Sequence, residues 1–320
     1  MYNLSQAVTA PVMAVAVNSG LIHHNRLWHE SRIAVFQTSI DTRSTTHQKR
    51  GTHPRVHFGD AWIGSIVDVF RDDISRFSVV LTSEFEEDPV EMVRQGIIPK
   101  LKALMLHNGT VYRWNRPCYG VKDNIPHLRI ENRVLPSGPS VIDEVANSAF
   151  YFGLMSGLSN KNYDVREHMR FSSARSNFLQ ACRTGLESHF KWFDGEPRPA
   201  SELILNDLLP EAESGLKASG IDDDDIVTTI HVRRERRLVL AAQTKGNNRR
   251  QTTQDNVLRV DNDPFFHHIG RFLAECFHVF LPCYNSLPEG EGVTTTQNPE
   301  NSGFSLQAPA FGARRKEMRK

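Results

Sequence analysis

Cysteine is scarce in this 320-residue sequence: Cys118, Cys182, Cys276 and Cys283 lie scattered along it. That argues against a disulfide-stapled secreted scaffold and for a reduced, cytoplasmic setting. Long apolar runs are lacking as well. No stretch reaches the roughly 18 to 20 residues that a membrane helix requires, so no membrane partner is expected. Leu4 to Val17 is apolar, but it is short, contains Pro11 and lacks a basic leader, and it does not read as a signal peptide. Neither sign of charge is in excess: 38 Lys and Arg stand against 37 Asp and Glu, for a net charge of +1. No global field therefore draws the chain to nucleic acid, and any anion site must be local. Internal repeats are absent too.

What is present suffices for one large domain or two ordinary ones with a real core. Apolar spacing predicts a buried helix over Leu4 to Val17, closed by the turn signal Asn18-Ser19-Gly20, and a second helix near Glu30 to Ile40. Residues 41 to 59 are polar and without period. A helix is expected over Trp62 to Ile74 with Ile63, Ile66, Val67, Phe70 and Ile74 on one stripe, then a short strand at Val79 to Leu81 and helices at Pro89 to Gln95 and Pro99 to Leu106. "TVYRWNRP" has strand composition; a loop over 118 to 126 would join it to an antiparallel partner, "PHLRIENRV". Ser140 followed by Asp143 has the form of a helix cap opening Val141 to Leu158. Further helices are expected at Ser172 to Phe190, at Ser201 to Ser219 around Pro210, and after Asp222. Residues 231 to 284 read as a divergent basic segment with one helix, at Pro264 to Leu281, and residues 285 to 320 as a disordered tail.

The strand "PHLRIENRV" raises a chemical question. Alternation puts His127, Arg129, Glu131 and Arg133 on one face and Leu128, Ile130 and Val134 on the other. A solvated face of weak ion pairs is one reading. The other is a phosphoryl-transfer face, in which a carboxylate is a hard ligand for Mg²⁺ and guanidiniums match phosphate oxygens. Arg116 on the neighbouring strand adds a third guanidinium.

The stretch "YRWNRPCYG…PHLRIENRVLPSGPSVIDEVANSAFYFGLM", residues 112 to 155, resembles the ATP-dependent glutamate–cysteine ligase and carboxylate–amine ligase family, relatives of glutamine synthetase. Arg116-Pro117 matches that family's "RP" strand. Ile130-Glu131-Asn132-Arg133 matches its "LEhR" strand, h being apolar, with Asn in place of the apolar residue. More loosely, "NSGLIHHNRLWHESRIAVFQ" is similar to the family's Asn-Ser turn and its helix Arg, here Arg32, and "FSSARSNFLQACRTGLESHFKW" to its later helices. The resemblance covers roughly residues 10 to 230. It implies an α+β fold, a glutamine-synthetase-like antiparallel sheet backed by helices, joining glutamate or a similar carboxylate to an amine such as cysteine through an acyl phosphate, with ATP and Mg²⁺. By position Glu131 would be the metal ligand. Arg116 and Arg133 would be catalytic, against phosphate or substrate carboxylate, and Arg129 and Arg133 would bind the nucleotide.

Family members carry a Glu-x-Glu strand upstream of the Asn-Ser turn, and nothing before Asn18 matches it. The chain is therefore expected to be the C-terminal part of a catalytic domain with its N-terminal strands missing, either complemented by a second chain or a non-catalytic relative that binds nucleotide or a partner. The resemblance fades after His231, where an out-of-register translation is an alternative to a divergent tail. Other constellations carry less. His23, His24 and His29 lack the i, i+4 spacing of helical zinc sites; His267, His268, Cys276, His278 and Cys283 match no zinc pattern; Cys182 reads as core. "RRERR" at 233 to 237 opens a basic segment, to residue 250, that could touch nucleic acid but has no interleaved aromatics. "DDDD" at 222 to 225 reads as a helix start.

Overall fold

The structure is a computed structural model and describes residues 1–226 apart from 42, 44, 45, 47–52, 85, 86 and 162. The basic segment 233 to 250, the helix expected at Pro264 to Leu281 and the expected tail lie outside the described residues.

Helix α1, Tyr2–Ala16, lies at the centre, buried from Leu4 through Ala16. Its sequence is apolar or small on every side, which is what a helix enclosed by neighbours requires. The few polar side chains on it make hydrogen bonds, although Gln6 Oε1 is buried without a partner among the described residues. Ser5 Oγ donates to Asn115 Oδ1 at 2.7 Å, Thr9 Oγ1 to the Ser5 carbonyl at 2.7 Å and Gln6 Nε2 to the Phe58 carbonyl at 2.7 Å. Around α1 pack α6, Val141–Asn160, and α8, Phe171–Thr184. Between them run α2 (Ser31–Ser39), α3 (Ile66–Arg76), α4 (Pro89–Arg94), α5 (Lys102–Thr110) and the short α7 (Val165–His168).

After α8 come α9 (Ala200–Leu203), a π turn over Ile204–Leu208, α10 (Leu209–Ala218) and α11 (Asp223–Ile226). The single helix expected over Ser201 to Ser219 is thus split by a wide turn. Pro210 lacks an N–H, and its ring would clash with the carbonyl four residues back, so the backbone widens there. Helices α6 and α10 meet backbone to backbone: a Cβ built on Gly215 would stand 2.1 Å from the Gly153 carbonyl oxygen.

Four two-stranded sheets occur among the described residues, so the fold is mixed helix and strand. β1 (Leu21–Ile22) pairs with β2 (Asn25–Arg26), and β7 (His189–Lys191) with β8 (Pro197–Pro199), both antiparallel; β3 (Val56–His57) pairs in parallel with β4 (Tyr112–Arg113). The largest sheet is the antiparallel hairpin of β5 (Asn115–Lys122) and β6 (Ile125–Asn132). The loop expected over 118 to 126 is only the two-residue turn Asp123-Asn124, with φ of +52° and +59°. Asp and Asn tolerate this left-handed pair, which matches strand twist.

Four further expectations are corrected. In α3 the buried residues are Val69 and Asp73, whereas Val67 and Ile74 are exposed: Asp73 is drawn inward by Arg113 and turns the helix away from its apolar stripe. Val79 to Leu81 is no strand but an exposed segment. The helix expected to Phe190 stops at Thr184, where Gly185 takes φ +54°, and Phe190 is buried in β7. Helix α5 instead runs through His107-Asn108-Gly109, because tertiary bonds fix it. His107 Nε2 donates to the Phe77 carbonyl at 2.9 Å and Asn108 Nδ2 to the Pro117 carbonyl at 2.7 Å.

Candidate functional site

Directly opposed residues of an antiparallel pair share a face. On one face of the hairpin Arg116 stands opposite Glu131, Cys118 opposite Arg129, and Gly120 opposite His127. Gly120 leaves the space that the His127 ring fills, since a Cβ there would stand 2.6 Å from Nε2. The other face carries Asn115, opposite Asn132, and turns toward the core: the Tyr2 hydroxyl donates to the Asn115 carbonyl at 2.8 Å.

Glu131 is clasped from two sides. Arg116 donates to its Oε2 from Nε at 2.9 Å and from Nη2 at 2.5 Å, and Arg133 Nε lies 3.2 Å from Oε1. The Cys118 thiol is 3.5 Å from the same Oε2. The Glu131 side chain is 42% exposed and the two arginines 20% each, so the cluster opens to solvent on a half-buried base. Burial alone would raise the Glu131 carboxyl, but the Arg116 hydrogen bonds and the charges of Arg116 and Arg133 outweigh it and hold the group below the usual carboxylate range. Burial, with Glu131 close by, raises the Cys118 thiol despite Arg116.

Arg133 follows the end of β6 and is fixed by its surroundings. Its N–H donates to the Trp114 carbonyl at 2.8 Å, and its guanidinium lies 3.9 Å from the centre of the Tyr112 ring. Its Nη1 is buried with no acceptor among the described residues. Arg129 is exposed and makes no ion pair among the described residues. Arg32 reaches the neighbouring carbonyl of Val134, while its Nε donates to Glu30 Oε1 at 3.1 Å. Glu30, fully buried, also accepts from the Asn18 N–H at 3.0 Å and the Ser19 hydroxyl at 2.6 Å. The Asn-Ser turn is thereby tied to the segment that follows Arg133.

The structure thus brings Arg116, Glu131 and Arg133 into contact, sets Arg129 one residue pair along the same face, and gives Arg32 a bracing place beside them. One carboxylate whose two oxygens are both on guanidiniums does not fit Mg²⁺, a small ion that demands near-octahedral oxygen ligands. Among the described residues no group of three His, Cys, Asp or Glu side chains is placed to hold a metal ion. His23 and His24 occupy the turn between β1 and β2 with φ of +47° and +67°. Cys182 is buried in the core.

Sequence reading missed a second polar centre. Arg113 of β4 is buried and donates to Asp73 at 2.7 Å and to Asp72 at 2.5 Å, and the His57 ring of β3 lies 3.8 Å from the Asp73 carboxylate. Nothing local marks these residues, because they converge only when α3, β3 and β4 pack.

No family model matches the chain, and no curated protein matches it. No helix among the described residues is long and apolar enough to cross a membrane.

Proposed function

We propose that residues 1–230 belong to a catalytic domain of the ATP-dependent carboxylate–amine ligase type, with a glutamine-synthetase-like fold. The substrates would be glutamate or a similar carboxylate and an amine such as cysteine, in the cytoplasm, as in glutathione biosynthesis. The observation that supports this reading is the convergence of Arg116, Glu131 and Arg133 on the open face of β5 and β6, with Arg129 beside them. A carboxylate is a poor electrophile. Transfer of the γ-phosphoryl group of ATP onto its oxygen gives an acyl phosphate as ADP leaves, and attack by the amine then expels phosphate and, with loss of a proton from its nitrogen, forms the amide. Guanidiniums suit this chemistry because charge develops on phosphoryl and carbonyl oxygens throughout. In this reading Arg116, Arg133 and Arg129 would hold those oxygens.

A second reading is favoured by the pairing of Glu131: a non-catalytic relative that binds nucleotide or a partner chain. Phosphate release from ATP, measured with Mg²⁺, glutamate and a panel of amines, separates the two. Turnover by this chain, alone or with a complementing chain, is expected for the ligase; nucleotide binding with no turnover under either condition rejects it. The weaker nucleic-acid reading of residues 233 to 250 predicts salt-sensitive DNA or RNA binding that Arg233→Ala with Arg234→Ala removes.

A further inference from the structure

The arginine face carries three guanidiniums, from Arg116, Arg129 and Arg133, against the single carboxylate of Glu131, and that carboxylate is spent on two of them. Each feature of the cluster is that of an anion clamp already holding an anion. Both oxygens accept N–H donors, as the oxygens of a bound carboxylate or phosphoryl group would. The clamp is stiffened from behind, by the Tyr112 ring under Arg133, the Trp114 carbonyl on its N–H and Arg32 on the next carbonyl. Arg133 Nη1 is a buried donor with no acceptor among the described residues, a group that costs free energy until an oxygen reaches it. Arg129 stands exposed beside the pair and adds charge without a partner among the described residues.

We propose that Glu131 is a built-in counter-anion rather than a metal ligand: it holds Arg116 and Arg133 in a clamp that an incoming oxyanion, carboxylate or phosphoryl, occupies without metal by taking over guanidinium N–H groups from Glu131. This inference concerns the same face as the ligase reading but does not need turnover. A ligand here competes with a tethered carboxylate, so the resting site is partly closed. Removing the charge of Glu131 opens it. A metal-ligand role for Glu131 predicts the reverse, because losing the carboxylate would then weaken metal-bound anions.

The test is titration calorimetry on the full chain in EDTA, with inorganic pyrophosphate as the phosphoryl probe and glutarate as the carboxylate probe, repeated with Mg²⁺. At least one probe is expected to bind the unaltered chain in EDTA, and which one binds identifies the ligand source. Glu131→Gln is expected to tighten that binding by about tenfold, the effect of removing one nearby charge at a partly screened site. Arg129→Ala, an exposed substitution that leaves the ion pairs intact, is expected to weaken it severalfold, while Arg94→Ala, on exposed helix α4, leaves it unchanged. The inference is overturned if neither probe binds without Mg²⁺, if Glu131→Gln weakens binding in a chain whose melting temperature is preserved, or if Arg129→Ala has no effect. Anion binding in EDTA, together with no turnover in Mg²⁺ either alone or with a complementing chain, rejects the ligase reading and leaves this one standing. Mg²⁺-dependent turnover with the anion bound only when metal is present does the opposite.

Discussion

Asn132 Nδ2 lies 3.2 Å from Asn115 Oδ1, an amide pair directly opposed across the hairpin. Asn132 is where the ligase-like pattern has an apolar residue, and the pair shows why an amide serves here. Asn115 is almost fully buried and is bonded three times to α1: its Oδ1 also accepts from Ser5, its Nδ2 donates to Thr9 at 2.9 Å, and its carbonyl takes the Tyr2 hydroxyl. Ser5 in turn is 2.8 Å from the Tyr151 hydroxyl. The back of the arginine face is thus bonded to α1 and α6 rather than merely packed on them.

Asn115→Ala is therefore expected to cost about 3 kcal/mol, because Ser5, Thr9 and Asn132 all lose a partner inside the protein. Asn132→Leu, which removes one bond at a half-buried position, should cost only about 1 kcal/mol. Urea denaturation of the two variants checks the order as well as the size.

Arg113 neutralises two carboxylates, one of them almost wholly buried. Arg113→Met strands Asp73 and is expected to cost about 3–5 kcal/mol. Adding Asp73→Asn should return a large part of that loss, since an uncompensated charge and not the missing side chain is the main penalty. A double-mutant cycle in urea that showed simple additivity would contradict the pairing.

Burial, aided by the charge of Arg113, pushes the His57 ring from 6.5 down to about 3, against the pull of Asp60. The unfolded chain takes up this proton near pH 6.5 and the folded chain resists it until about pH 3. His57 therefore leaves stability intact above pH 6.5 and erodes it as the pH falls from 6.5 toward 3, by at most about 1.4 kcal/mol per pH unit. His57→Gln should flatten that slope. Comparing the two chains by thermal melting from pH 7 to pH 4 isolates His57 from Asp73, whose burial-raised carboxyl acts with the opposite sign.

Gly215→Ala gains about 1 kcal/mol in helix propensity, yet it places a methyl group against the Gly153 carbonyl. Helices α6 and α10 must move apart, and a net loss of about 2–3 kcal/mol is expected. Gly109→Ala makes the contrast, for a Cβ there meets nothing within 4 Å, and it should be neutral or slightly stabilising. Melting temperatures of the two variants should move in opposite directions, or only the first should move.

Legibility followed the range of the interactions. The cap at Ser140, the acidic start of α11 and the enclosed α1 were readable because cap, charge and apolar content act within a few residues. The facing of Arg116, Arg129, Glu131 and Arg133 was readable from the two-residue period of a strand. The inward turn of Asp73, the end of α8 at Gly185 and the extension of α5 were not, since each is set by a partner or a backbone angle that local pattern does not carry. A convincing apolar stripe on α3 pointed to the wrong side because one buried ion pair outweighed it.

By itself the sequence determined where α4 and α6 begin, at Pro89 and after Ser140, though not the starts of α3 and α5, expected at Trp62 and Pro99 and found at Ile66 and Lys102; it also determined which residues alternate along β5 and β6, and that three arginines and one glutamate share a face. Those are consequences of backbone geometry and of bonds between neighbours in the chain. Only the tertiary structure decided that Glu131 is held by Arg116 and Arg133 on both oxygens, that Asn115 ties this hairpin to α1, and that Asp73 meets Arg113. Such pairings depend on how distant segments pack, where burial makes a charge or amide seek whichever partner comes within reach.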